Sequence, residues 1–85
     1  MRKILVIGSG KSTSYLLKYL LDKAIEEDLF ITVGDLQVEN AEKLIYNHPK
    51  ANAIPLDVFN ETTRAQAIKN ADIVISMLQI GRAHV

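Results

Sequence analysis

Two hydrophobic periods alternate along these 85 residues. Short unbroken apolar runs, which suit strands buried on both faces, are separated by stretches whose apolar positions recur every three or four residues, as along one side of a helix. The first run, KILVI at 3–7, predicts a strand β1 that ends at Gly8. Beyond the Gly8-Ser9-Gly10 break, Tyr15, Leu16, Tyr19, Leu20 and Ala24 fall at helical spacing. Ser12, Thr13 and Ser14 supply hydroxyls where a helix start favours them, so a long α1 follows. FITV at 30–33 reads as a short β2 closing at Gly34-Asp35, and 37–46 as a helix α2 carrying Val38, Ala41, Leu44 and Ile45. Asn47-His48-Pro49 stops that helix, because the residue before a proline is pushed out of the α region. Residues 51–56 form β3, and Pro55, which cannot donate to a ladder, favours a sheet edge for it. A third helix, α3, covers 61–70, and DIVISML at 72–78 is a second strongly apolar strand, β4. Tyr15, Tyr19 and Tyr46 sit on helix faces, where packing is their expected role.

The order β-α-β-α-β-α-β predicts an α/β fold, with a parallel sheet, helices on both faces and right-handed crossovers. Because β1 and β4 are the most apolar strands, they are expected to be central, in a partial doubly wound sheet of order 3-2-1-4. Its ligand crevice would then open above the carboxyl ends, at the β1/β4 switch point. The length allows one small domain, and a chain of this size hides about 60 to 65% of its unfolded surface, so its core is marginal.

Ten basic residues balance ten acidic ones without a run of like sign, which argues against nucleic acid as a partner. The lack of cysteine removes disulfides, thiolate nucleophiles and Cys-based zinc sites together. No run of about 18 apolar residues and no signal-peptide pattern is present, so no membrane partner is expected and a cytoplasmic location is.

The informative chemistry lies where Gly8-Ser9-Gly10 leads from a buried strand straight into a helix. Free N–H groups and the positive end of the helix dipole favour an anion there, and glycines let its oxygens approach the main chain. The dinucleotide pattern G-x-G-x-x-G/A places its third small residue at Thr13, a departure from the pattern. That threonine either holds α1 slightly away from β1 or offers its hydroxyl to a pyrophosphate. A plain strand-to-helix turn is the bland alternative. The string GSGKST also looks like the end of a nucleoside-triphosphate P-loop, but the first glycine of G-x-x-x-x-G-K would fall at Leu5, inside β1. Lys11 is either a phosphate contact or a solvated side chain.

Asp35, 27 positions after Gly8, stands at the end of β2, where a dinucleotide fold wants a carboxylate for the adenosine ribose. A carboxylate repels a 2′-phosphate, and Leu36 and Gln37 offer no arginine to receive one, so NAD is favoured over NADP. An ordinary turn aspartate is the alternative. Asp57 at the end of β3 is similarly open, to an adenine contact or to capping the next turn. His48 has no partner at metal-ligand spacing, and no metal site or catalytic triad emerges.

Taken together, ILVIGSGKSTSYLLKYLL, ITVGDLQVENAEKL, HPKANAIPLDVFN and ADIVISML resemble the amino-terminal cofactor domain of the saccharopine dehydrogenase family, over essentially the whole chain to Leu78. The resemblance implies a Rossmann domain and, in the full-length enzyme, hydride transfer between NAD or NADP and the carbon of a secondary amine joining two amino-acid skeletons. It implies pyrophosphate contacts from Gly8, Ser9, Gly10, Lys11 and Ser12 and ribose contacts from Asp35, with Thr13 and Leu36 as further cofactor-binding candidates. Asp57 and Val58 would touch adenine, and Ser76, Met77 and Leu78 would pack on the nicotinamide side. The full-length partner would be a small amino-acid-derived substrate, with a homodimer allowed.

Residues 1–79 are expected to form the N-terminal part of this domain. The last six residues, IGRAHV at 80–85, read as the translation ATC-GGA-AGA-GCA-CAC-GTC of a sequencing adapter, and are expected to be a non-native tail. Two function classes remain open on the sequence: the cofactor-binding part of a dehydrogenase whose catalytic groups lie elsewhere, and a free-standing nucleotide-binding regulatory module.

Overall fold

The computed structural model describes residues 1–8, 11–57 and 59–76, with the backbone alone for Lys11 and Ser12. The elements run β1 (Arg2–Ile7), α1 (Lys11–Ala24), β2 (Leu29–Asp35), α2 (Val38–Ile45), β3 (Ala51–Pro55), α3 (Glu61–Lys69) and β4 (Ile73–Ser76). All neighbouring strands are parallel, in the order β3-β2-β1-β4. The expected alternation and strand order are thus both present. Pro55 closes β3 on the sheet edge, where a missing N–H costs no ladder bond.

The hydrophobic runs explain the layering. Successive side chains of a strand point to opposite faces, so Ile4 and Val6 of β1 join Ile31 and Val33 of β2 on one face, while Leu5 and Ile7 point to the other. The first face is closed by Leu17, Leu20 and Ala24 of α1 with Ala41 and Ile45 of α2. The second is thinner. It gathers Leu5, Ile7 and Leu56 beneath Ile54, Ala67 and Ala71, and α3 contributes no fully buried residue to it.

Among the described strands β4 pairs with β1 alone, and its Ile73 and Val74 stay 43% and 39% exposed. One expectation needs correction: the tyrosines do not pack, since Tyr15, Tyr19 and Tyr46 are all exposed. The buried stripe of α1 is Thr13, Leu17, Leu20 and Ala24, which rotates Tyr15 and Tyr19 to the outer side. Tyr46 is the left-handed C-cap of α2 at φ 48°, and Asn47 follows at φ 57° before the Pro49 break.

The amino ends of the strands are fastened by charge. The Asp28 carboxylate accepts from Lys50 Nζ at 3.1 Å and lies 3.3 Å from the Met1 ammonium, tying the entrances of β1, β2 and β3. The hydrogen bond from Lys50, then that from the N-terminus, holds the Asp28 carboxyl below its ordinary value of 3.8. A carboxyl whose folded value is depressed stabilises the fold above its unfolded value and loses that contribution as pH falls through the folded one. Asp28→Asn should therefore lower the melting temperature at neutral pH, with the difference from the parent chain vanishing in strong acid. Thermal melts across the acid range check this, and a difference that persists below both values would refute the ion contact as its cause.

Candidate nucleotide-binding site

The site begins where the central strand ends. Ile7 pairs with Gly34 and Ser76 across the sheet, and Gly8 N–H donates to the Gly34 carbonyl at 2.8 Å, so β1 and β2 finish side by side. Gly8 then adopts φ 108°, a conformation that side-chain-bearing residues rarely take. By Lys11 the chain is already helical, which requires an abrupt reversal off a strand buried on both faces. The first turn of α1 carries no acidic residue to offset its positive dipole end. Leu5 lies within β1 and is buried, so the glycine that a P-loop wrap needs is replaced by a core residue.

Thr13, in that first turn, is 1% exposed, and its Oγ1 has no hydrogen-bond partner among the described residues. An unpaired buried hydroxyl costs about 1–3 kcal/mol.

Beside the turn lies a cleft of about 200 Å³, lined by Gly8, Asp35, Leu36, Leu56, Asp57 and Phe59, among others. Its floor is tightly built. A Cβ on Gly34 would come within 2.7 Å of Leu56 Cδ2, so only glycine lets Leu56 lie against β2. Leu56 N–H donates to the Asp35 carbonyl at 2.8 Å, which carries the β2–β3 pairing to the cleft. Asp35 Oδ2 accepts from Gln37 N–H at 2.9 Å, and Asp57 Oδ1 accepts from Phe59 N–H at 2.9 Å. Each aspartate therefore braces the turn after its own strand while lining the cleft. The turn roles left open for both residues are realised.

Of the expected site residues, Gly8, Asp35, Leu36 and Asp57 are brought together around this cleft. Thr13 is buried on α1, and Ser76 ends β4 next to Ile7, on the other side of the glycine turn. Ser9, Gly10, Val58, Met77 and Leu78 lie outside the described residues, as does the tail 80–85. His48 is structural: its Nδ1 accepts from Lys50 N–H at 3.0 Å. The sequence reading passed over Phe59 and Gly34. The signal for Phe59 was an aromatic residue just after the acid that ends β3, and the signal for Gly34 was a glycine at the tip of a β-branched strand. A larger cavity of about 320 Å³ opens under α3 between Lys3, Phe30, Asn52 and Asn70, away from the glycine turn.

A parallel sheet of order 3-2-1-4, a glycine turn into a helix from the central strand, and an acid at the neighbouring strand tip define a Rossmann-like nucleotide-binding domain. The orphaned Thr13 hydroxyl and the cleft between the strand tips fit a dinucleotide. The model of the saccharopine dehydrogenase NADP binding domain matches residues 4–80, and the chain belongs to that family. Among solved structures it is similar to the apo form of a histidine-tagged saccharopine dehydrogenase (L-Glu forming) from Saccharomyces cerevisiae. The two are 26% identical with a TM-score of 0.81, over 92% of this chain and 17% of that one. No curated protein sequence matches the chain. Among the described residues, no helix is long and apolar enough to cross a membrane.

Thr13→Val removes the hydroxyl at nearly constant shape. The ligand-free chain should gain about 1 kcal/mol of unfolding free energy in urea titrations. A loss of similar size would mean that the hydroxyl has a partner in the free protein.

Proposed function

We propose that the chain binds NAD across the carboxyl ends of its strands and serves as the cofactor-binding share of a saccharopine dehydrogenase-like oxidoreductase. In this reading, amides and hydroxyls of Gly8, Ser9, Gly10, Lys11, Ser12 and Thr13 hold the pyrophosphate. Asp35 and Leu36 take the adenosine ribose, Asp57 and Val58 border the adenine, and Ser76, Met77 and Leu78 pack on the nicotinamide side. The observation that carries the reading is the cleft itself, because Gly8, Asp35 and Asp57 come from three strand tips distant in sequence and converge on one space.

When bound, the nicotinamide supplies or accepts a hydride. The protein's share is to fix the dinucleotide: the glycine turn lets phosphate oxygens reach main-chain N–H groups, and the dipole of α1 favours their charge. The carbon that exchanges hydride would belong to a secondary amine linking two amino-acid skeletons. The chain spans 17% of the yeast relative's length, so the acid and base groups and the substrate site are assigned to the remainder of such an enzyme. A cytoplasmic location and a homodimer are part of the same proposal, as is the division into a native 1–79 and a non-native 80–85.

Preference for NAD over NADP follows from charge. Asp35 and Asp57 both line the cleft, and a 2′-phosphate brought beside them would add negative charge to negative charge. Calorimetric titration with NAD, NADP and magnesium ATP tests the proposal. NAD should bind more tightly than NADP, and Asp35→Ser should narrow that gap by about 1–3 kcal/mol. An unchanged gap would remove Asp35 from the ribose, and a preference for magnesium ATP would overturn the dinucleotide reading.

A further inference from the structure

The second face of the sheet is filled only toward the carboxyl ends of its strands, where Leu5, Ile7 and Leu56 are buried together. Nearer the amino ends, strand pairing sets Lys3 beside Phe30 and places Leu5, Thr32 and Asn52 in one row. The helix over this row is α3, and what packs toward the sheet there is small: Ala67, with Ala71 just beyond the helix end. Two alanines do not fill the space above Phe30 and Thr32, so a cavity of about 320 Å³ remains under the end of α3.

The lining of this cavity is chemically one-sided. Its apolar surface comes mainly from Leu5, Phe30, Ile54 and Ala67, and its polar residues are Lys3, Thr32, Asn52 and Asn70, with no carboxylate. Thr32 Oγ1 donates to Asn52 Oδ1 at 2.8 Å, which engages that oxygen and leaves the Asn52 amide N–H groups without a partner among the described residues. The Lys3 ammonium has no ion pair among the described residues. Asp72, whose Oδ2 accepts from the Lys3 main-chain N–H at 2.8 Å, does not line the cavity. A cation and an amide donor over an apolar floor suit an anion that carries an apolar body.

We infer that this cavity is a second ligand site, for a small carboxylic acid with a flat or branched apolar body. Lys3 Nζ and Asn52 Nδ2 hold the carboxylate, and the body lies between Phe30 and Ala67. Hydrogen bonds from a cation to a carboxylate are about twice as strong as neutral ones, and small-molecule sites begin at about 300 Å³. Lys3 and Gly8 are five positions apart along β1 and its exit, about 16 Å at the rise of a strand. The site is therefore separate from the cleft at the strand tips, and the inference does not depend on the dinucleotide reading.

Three probes divide the two halves of the claim: 3-phenylpropionate, its uncharged amide, and acetate, which has the charge without the body. In amide chemical-shift titrations of the labelled chain, 3-phenylpropionate should move residues 3–5, 30–32, 52–54 and 67–71 and leave Gly8 and 34–37 in place. The amide and acetate should each bind at least roughly tenfold more weakly. Lys3→Met keeps the side-chain stem and should weaken the acid roughly tenfold while leaving the amide unchanged. Ala67→Leu, which fills the cavity, should abolish binding of both; if that variant does not fold, Lys3→Met decides alone. Unmoved signals at 3–5 and 67–71, equal affinity for the acid and its amide, equal affinity for acetate, or parental affinity of Lys3→Met for the acid would each overturn the inference.

Discussion

The structure depends on one constraint: β1 is buried on both faces and between two strands, yet the chain must leave it and be helical again by Lys11. A residue with a Cβ would resist the φ of 108° that starts this reversal, so Gly8 is where strand burial and helix placement meet. The reversal brings the start of α1 over the carboxyl ends of the sheet. Leu17, Leu20 and Ala24 then lock the helix onto Ile4, Val6, Ile31 and Val33. An anion-favouring helix end is thereby held beside the tips of β2 and β3. Core packing and site geometry are consequences of the same turn.

The β2 and β3 tips show the same coupling in miniature. Gly34 has no side chain, Leu56 fills the space, and the close approach draws the two turns toward one cleft. Asp35 and Asp57 spend one oxygen each on the following backbone, which fixes the turns and leaves Leu36 and Phe59 standing in solvent. Exposed apolar side chains cost the free chain hydration entropy with no packing in return.

Much of this fold was legible because strand runs and helical periods alternate cleanly. KILVI, the Gly8 break and the Pro55 edge signal each have a direct physical meaning, and the 3-2-1-4 order followed from them. Periodicity misassigned Tyr15 and Tyr19, because a tyrosine counts as apolar in the pattern while the stripe that packs runs through Thr13 and Leu17. Around the cleft, Asp35 and Asp57 were legible as acids at strand ends. That Phe59 stands exposed beside the same cleft is visible only in three dimensions.

The central claim is that the glycine turn and the tips of β2 and β3 form one ligand surface. Amide chemical-shift mapping of the isotopically labelled chain during titration with NAD addresses it directly. The account predicts shifts concentrated in residues 8–13, 34–37 and 57–60, with little change around Asp28, His48 and Lys50 at the opposite ends of the strands. Shifts concentrated at that opposite end, or in the cavity under α3 with Gly8 and Asp35 unmoved, would contradict it.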